Sequence, residues 1–146
     1  MAGYSATPLA KKLGIKDGSR VALLCAPRTF DPAALEPLPD DARVVTGATK
    51  DPCDVILSFH TERADLEARV PALLDALDVD GGLWIAWPKR ASKVPTDITE
   101  DTLREVWLPL GLVDNKVCAI DDVWSGLRLV WRREHRDAVR AGRRPG

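Results

Sequence analysis

Three nearly continuous apolar runs constrain the fold of this chain more than any other feature of its sequence. They are residues 20–26 (RVALLCA), 54–59 (DVILSF) and 83–87 (LWIAW). Strands that read as unbroken apolar runs are buried on both faces, which is typical of parallel sheets covered by helices. The sequence therefore favours an α/β fold built on a mainly parallel sheet.

The segments between these runs carry helix and turn signals. Residues 7–14 predict a two-turn helix, residues 31–35 a helical turn and residues 42–46 a further strand. After residue 62 the pattern is helical, but Pro71 predicts either a kink or two helices, 62–70 and 71–77. A turn over DVDGG then leads to the run at 83–87. Thr99 is the expected cap of a helix over 100–110, with apolar residues at i, i+3, i+4 and i+7.

The C-terminal part of the chain predicts an antiparallel hairpin. Residues 112–120 and 127–131 read as strands, and the six residues between them (DDVWSG) are too few for a parallel crossover. The expected class is thus α/β and Rossmann-like, a mostly parallel sheet with a C-terminal antiparallel hairpin. The side chains expected in its core are Val21, Leu23, Val55, Leu57, Trp84, Ile85 and Leu103.

Length and charge predict one domain followed by a basic tail. The 146 residues suit a single core, which we place at residues 1–131. Residues 132–146 hold six arginines and two acidic side chains, and removing these eight from the 21 basic and 22 acidic residues leaves a body of 15 and 20. The last ten or so residues are expected to be frayed or disordered. Such a tail either stays solvated, contacts the acidic body, or binds an anionic surface.

Composition excludes several classes of protein. The near balance of charges excludes a wholly basic nucleic-acid binder, so nucleic acid is not an expected partner. Cys25, Cys53 and Cys118 are odd in number and far apart, which argues against a disulfide framework or a zinc knuckle and favours the cytoplasm. No run is apolar enough for a signal peptide or a membrane span, so no membrane partner is expected.

Several motifs resemble known families. The order of a helix with KLGIKDGSRV, strand–helix units and a final strand pair is similar to the Rossmann-like fold of S-adenosylmethionine-dependent methyltransferases, in a shortened form. More closely, AGYSATPLAKKLGIK, GGLWIAWPKRAS, TDITED and GLVDNKVCAIDDVWSGLRLV resemble domain-of-unknown-function family 3052, which is frequent in actinobacteria. That resemblance covers nearly the whole chain up to the tail and implies a fold without assigning a site.

The chain departs from methyltransferases where those enzymes bind their cofactor. Their first strand runs into a glycine-rich turn, and an acidic residue after the second strand holds the ribose. Here the turn reads CAPRTFDP, with two prolines and no glycine, and GATK follows the second strand. Neither contact carries over, so no cofactor is expected.

Ligands of open α/β sheets bind outside the carboxyl ends of the strands. The richest segment there is WPKRASKVPTDIT, in which the cations Lys89, Arg90 and Lys93, together with Ser92, Thr96 and Asp97, suggest a site for a phosphate or carboxylate. The alternative is a solvated loop whose hydroxyls cap turns and whose Asp97 begins a helix. The other strand ends supply Arg28 and Thr29, Thr49 and Lys50, and His60 and Thr61.

Two further features belong to the same edge. His60 follows a buried strand, where an enzyme would place a general base, although ordinary hydrogen bonding at a helix start explains it as well. Trp124 and Ser125 fall in the hairpin turn, where the indole is either a pocket wall or part of the core. The adjacent Asp121 and Asp122 point apart on a strand, so no metal site is expected.

These observations lead to one functional hypothesis with two alternatives. We expect a non-catalytic methyltransferase-like domain that binds a small anionic ligand or a protein partner at the strand carboxyl edge, with no catalytic residue. The first alternative is a divergent transferase or methyltransferase that uses His60, or Asp97 with Lys89. The second is a protein-interaction adaptor whose acidic body or basic tail makes the contact.

Overall fold

The structure is a computed structural model and describes residues 7–47 and 51–145. Its elements in chain order are helix α1 (Leu9–Lys12), strands β1 (Arg20–Leu24), β2 (Arg43–Thr46) and β3 (Cys53–Phe59), helix α2 (Arg63–Ala76), strand β4 (Leu77–Pro88), helix α3 (Glu100–Trp107), strands β5 (Leu112–Ala119) and β6 (Trp124–Trp131), and helix α4 (Arg133–Arg140). Single 3-10 turns lie at Pro32–Leu35, Arg90–Ser92 and Leu108–Leu110. Within the described ranges no helix has the length and apolar character needed to cross a bilayer.

All six strands form one sheet in the order β2-β1-β3-β4-β6-β5. The first three pairings in this order are parallel, and β6 runs antiparallel to both of its neighbours. The predicted mostly parallel sheet with a C-terminal antiparallel hairpin is therefore confirmed, and β1 lies inside the sheet. At the β5 edge of the sheet, the pairing of β5 with β6 shifts register between Asp114 and Lys116, on either side of Asn115. The side chain of Val117, next on this strand, is 51% exposed.

The sheet carries one apolar layer on each face. Leu13, Trp84 and Phe59 belong to the layer on the α1 side, whereas Ile56 and Trp107 belong to the layer under α2 and α3. Parallel strands covered on both faces must present apolar side chains in both directions, which is why they read as unbroken runs. All seven residues expected in the core are buried: Val21, Leu23, Val55, Leu57, Trp84, Ile85 and Leu103.

Two local predictions around α2 differ from the structure. Pro71 lies inside one continuous helix rather than between two. Leu66 and Leu73, on either side of it, are fully or almost fully buried, so packing holds both halves in one helix despite the lost backbone donor. The predicted DVDGG turn is instead part of β4, in which Leu77 pairs with Cys53 before the register shifts to Val55 opposite Gly82.

The cysteines also correct the sequence reading. Cys25 was expected as a buried strand residue, but β1 ends before it and its side chain is exposed. Cys53, which precedes the apolar run at 54–59, begins β3 and is buried. Cys118 lies in β5 and is partly exposed. All three are free thiols.

Residues 133–140 of the basic tail form α4, which packs onto the domain. Arg140 pairs with Asp80 at 3.0 Å, and Arg144 pairs with Asp75. Val139 packs against the apolar layer under α2 and α3. The contact with the acidic body, one of the alternatives for this segment, is the arrangement present.

Candidate functional site

A cleft opens at the carboxyl ends of β1 and β3. Its cavity measures about 730 Å³, and a smaller cavity of about 370 Å³ lies on the α2 side. Both are lined by Cys25, from the turn after β1, and by Arg69 of α2. The cleft thus occupies the edge of the sheet where ligands of open α/β folds bind.

The turn after β1 forms one wall of this cleft. Cys25 has a φ of 57°, a left-handed conformation that favours glycine, yet it carries a side chain. Ala26, Pro27 and Thr29 continue the wall. Arg28, between them, is exposed.

Ser58, His60 and Asp65 form a hydrogen-bonded chain, of which His60 and Asp65 line the cleft and Ser58 lines the smaller cavity. His60 Nδ1 is 3.0 Å from Asp65 Oδ2, and His60 Nε2 is 2.7 Å from Ser58 Oγ. Since a carboxylate only accepts hydrogen bonds, Nδ1 carries the proton, and Nε2 of the neutral ring accepts the Ser58 hydroxyl. Burial lowers the pKa of His60, and the hydrogen bond to Asp65 opposes this only in part. The ring is therefore neutral at pH 7.

An aromatic and aliphatic wall faces the turn. Phe59 contacts Trp124 edge-on with ring centroids 5.0 Å apart, and Phe30 lies 4.9 Å from Phe59. Val94 and Val123 extend this apolar surface. Trp124 begins β6 opposite Pro88 rather than lying in the turn, and it both packs in the core and lines the cleft.

Arg69 is the cation of the cleft. It lies on the exposed side of α2, and among the described residues no hydrogen bond or ion pair to it is recorded. The carboxylate of Asp65, one helical turn earlier, accepts a hydrogen bond from His60 instead. Arg28 likewise has no recorded partner within the described residues.

The segment expected to hold an anion uses its polar groups within the protein. Lys89 Nζ donates to the Asp121 carbonyl at 2.7 Å, and Lys89 N donates to the Val123 carbonyl at 2.7 Å. Ser92 Oγ donates to the Lys89 carbonyl at 2.6 Å. Lys89 and Trp124 share the carboxyl edge of the sheet, as the sequence predicts.

The far end of this segment is fixed to the start of α2. Thr96 Oγ1 donates to the Thr61 carbonyl at 2.6 Å, and Asp97 Oδ1 accepts from Arg63 N at 2.7 Å. These bonds hold residues 89–97 as a wall of the cleft, to which they contribute Val94. Ser125 pairs with Trp87 in the sheet, outside the cleft lining. Thr49 and Lys50 lie outside the described residues.

Sequence reasoning did not single out Ser58, Asp65 or Arg69. A signal for Ser58 was present, since residues two apart on a strand share a face and Ser58 precedes His60 by two. Asp65 and Arg69 are one helical turn apart on α2, a spacing that places them on one side. What the sequence lacks is the position of α2 in the fold, which brings these two side chains to the cleft at the end of β3.

Comparison with solved structures shows which fold this is. Fibrillarin, a pre-rRNA processing protein of Methanococcus jannaschii, is 16% identical over 88% of this chain and 70% of its own, with a TM-score of 0.57. DhpI, solved as a complex with SAH, is 13% identical over 86% of this chain and 84% of its own, with a TM-score of 0.59. A SAM-dependent methyltransferase from Aquifex aeolicus is 13% identical over 82% and 85%, with a TM-score of 0.54. The fold is the Rossmann-like methyltransferase fold.

No protein-family model matches the sequence, and no curated protein matches it. At these identities the likeness to methyltransferases concerns the fold alone. The residues of this methyltransferase-like fold do not fit the cofactor's usual contacts. The side chains of Cys25, Ala26 and Pro27 stand where a glycine-rich turn would leave the backbone accessible, and no acidic residue directly follows β2 in the sequence.

Proposed function

We propose that the chain is a non-catalytic methyltransferase-like domain that binds a small organic anion in the cleft at the strand carboxyl edge. The observation that carries this proposal is Arg69, a cation without a recorded protein partner among the described residues, located where two cavities adjoin. A guanidinium suits a carboxylate or phosphate because its fork donates two parallel hydrogen bonds. Arg28, exposed on the neighbouring turn, adds positive charge.

The opposite wall supports a ligand with an apolar body. Phe59, Trp124, Val94 and Val123 offer rings and methyl groups opposite the arginine. A cavity of about 730 Å³ is within the range of small-molecule sites. This size favours a small ligand over a protein partner, which would need a broad surface.

The Ser58–His60–Asp65 chain supports binding rather than covalent chemistry. Ser58 is 1% exposed and His60 is 2% exposed, so a substrate carbonyl has no direct approach to the hydroxyl. A hydrogen-bonded network anchored on two buried side chains makes its surroundings rigid. Its role in the proposal is to fix one wall of the cleft and to hold Asp65 against His60 rather than in an ion pair with Arg69.

The test compares two ligands that differ in charge. We expect 2-naphthoate to raise the thermal midpoint of the protein and to bind in calorimetry, and 2-naphthalenemethanol to bind at least tenfold more weakly, because a hydrogen-bonded charge contributes about 1.5 to 3 kcal/mol. Arg69→Gln should remove this preference for the anion. Lys89→Ala is the matched control, since its ammonium already donates to a carbonyl.

Two outcomes would contradict the proposal that the cleft binds an anion through Arg69. One is equal binding of the acid and the alcohol. The other is loss of binding in Lys89→Ala with none in Arg69→Gln, which would move the anion to the segment over residues 89–97.

A divergent methyltransferase is the second candidate. It is favoured by the SAH complex of DhpI, a protein of the same fold, and by the neutral His60 that lines the cleft as a potential base. The turn after β1 argues against this candidate, because its side chains take the place of the glycine-rich turn that contacts the cofactor in methyltransferases.

S-adenosylmethionine separates the two candidates. We expect neither it nor S-adenosylhomocysteine to bind at millimolar concentration or below, because Cys25, Ala26 and Pro27 prevent the close backbone approach that glycines permit. Isothermal titration calorimetry measures this directly. Tight, stoichiometric binding would overturn the non-catalytic assignment and favour the enzyme.

Two coarser assignments complete the proposal. The motifs around residues 2–16, 81–92 and 111–130 support membership of domain-of-unknown-function family 3052. The three free cysteines support a reducing, cytoplasmic setting.

A further inference from the structure

A third cavity, of about 550 Å³, lies away from the cleft, near the amino ends of the parallel strands. Its lining comes from the loop between α1 and β1, from the beginnings of β3 and β4, and from the middle of β5 and β6. Four cationic side chains converge on it from these segments: Lys12, Lys16, Lys116 and Arg128. None of the four is in a recorded ion pair within the described residues.

Arg128 is the most constrained of these cations. It is half-buried on β6, opposite Trp84 of β4 and beside Lys116 of β5. Its guanidinium covers Gly82, so that a Cβ at that position would overlap it. Among the described residues no hydrogen bond to this guanidinium is recorded. Burial lowers the pKa of Arg128, and the nearby Arg136 adds to this effect. A desolvated arginine with unused donors favours an incoming anion.

Three lysines from different elements line this one cavity: Lys12 of α1, Lys16 of the following loop and Lys116 of β5. Lys12 and Lys116 both exert an electrostatic effect on the Cys118 thiol, although they belong to α1 and β5. Lys116 is exposed, and Lys16 lies on the loop after α1. Long flexible ammonium side chains of this kind supply charge without fixed geometry, whereas Arg128 supplies the fork.

Three carboxylates also line the cavity, and two of them have partners. Both oxygens of Asp80 accept from Arg140, at 3.0 and 3.2 Å. Asp54 Oδ2 accepts the backbone N–H of Arg20 at 2.8 Å. Asp17 is exposed on the loop. The lining holds four cations against three carboxylates, and one of these, Asp80, is already paired with Arg140 from outside the lining. The cavity therefore keeps a net positive charge, while Asp17 and Asp54 remain able to accept hydroxyl hydrogen bonds.

We infer that this cavity binds the phosphate group of a small hydroxyl-bearing ligand. The guanidinium of Arg128 donates hydrogen bonds to the phosphate, and the lysine ammonium groups offset its negative charge. A phosphate monoester carries close to two negative charges at pH 7 and three acceptor oxygens, which matches several cations better than a single carboxylate does. The hydroxyl-bearing part would meet Asp17 and Asp54. This site is independent of the anion cleft, since the two cavities share no lining residue.

The test uses ribose 5-phosphate and ribose, which differ only in the phosphate. In calorimetry at low salt we expect ribose 5-phosphate to bind and ribose not to bind, with affinity falling as sodium chloride is added. Lys116→Ala should weaken binding severalfold, and because this lysine is exposed the variant should fold normally. Arg128→Leu should weaken it tenfold or more, with Arg128→Lys intermediate because the ammonium lacks the fork.

Arg90→Ala is the control, because Arg90 is an exposed cation at the opposite edge of the sheet. The inference is supported if Lys116→Ala loses affinity and Arg90→Ala does not. It is overturned if ribose 5-phosphate does not bind, or if the two variants lose affinity equally, which would indicate a general charge effect. Amide chemical shifts of Gly14, Gly18 and Ser19 locate the site; their failure to move on binding would also exclude it. None of these results depends on Arg69, so the anion cleft is tested separately.

Discussion

Replacing Trp84 by alanine is expected to lower the free energy of unfolding by about 3 to 5 kcal/mol, the range observed for large aromatic truncations in cores. Trp84 has no exposed surface, and its indole joins α1 to the middle of the sheet. Its Nε1 donates to the Leu13 carbonyl at 3.0 Å, the bond that ties the residue after α1 to β4. Alanine removes both the ring and the donor, and urea unfolding followed by circular dichroism measures the loss.

A second Trp84 variant separates the contribution of the hydrogen bond from that of the ring, and a variant on the surface of β5 serves as the control. Trp84→Phe keeps an aromatic ring but leaves the Leu13 carbonyl without its donor, for an expected loss of about 1 to 3 kcal/mol. Val117→Ala, at a half-exposed position on β5, should change stability by no more than about 0.5 kcal/mol. A Trp84→Ala variant as stable as Val117→Ala would show that α1 does not pack on the sheet as described.

The second large effect is expected at His60. His60→Leu leaves the Ser58 hydroxyl buried without its partner, which costs about 1 to 3 kcal/mol beyond the change in packing. Because the penalty comes from an unpaired hydroxyl, the double variant Ser58→Ala with His60→Leu should recover part of the lost stability. Chemical denaturation of the two variants measures the difference. A double variant less stable than the single one would rule out this origin.

His60 also predicts how stability depends on pH. Its pKa in the folded protein lies below the ordinary value of 6.5, because burial disfavours the charged ring, so the unfolded chain binds the proton more readily. The stability contributed by neutral His60 is therefore fully present above pH 6.5 and is lost as the pH falls from there through the folded pKa. Ser58, Asp65 and Arg69 are the polar and charged groups recorded as acting on the ring. His60→Leu should reduce this slope, and an unchanged slope would assign it to other groups.

The sheet was predictable because parallel strands covered on both faces leave a direct mark on composition. The runs at 20–26, 54–59 and 83–87 correspond to β1, β3 and the second half of β4. The ends of these elements were less predictable. The register shift between Cys53 and Val55 turns DVDGG into strand, and Gly81 permits it because a Cβ there would lie 2.8 Å from the Asp54 carbonyl oxygen.

The sites were less predictable than the sheet, since each depends on segments distant in sequence. The Lys89 segment looked like an anion site because its residue types suit one, but its hydroxyls and ammonium bond to nearby carbonyls. Arg69 gains its position from the packing of α2 over β3. The cavity near the amino ends of the parallel strands is lined by residues as far apart in sequence as Lys12 and Arg128, so no local spacing could have indicated it.

The outer strand β5 has features that disfavour pairing with a second copy of the chain at this edge of the sheet. An uncovered edge offers unpaired backbone groups to a second chain and is a common starting point for aggregation. Here the register shift beside Asn115 interrupts the regular pairing of the outer strand, and the charges of Asp114 and Lys116 flank the irregularity. A neighbouring copy would have to match an irregular, charged edge to extend the sheet. The exposed Val117 therefore lies on an irregular strand next to a charged side chain rather than on a regular apolar edge.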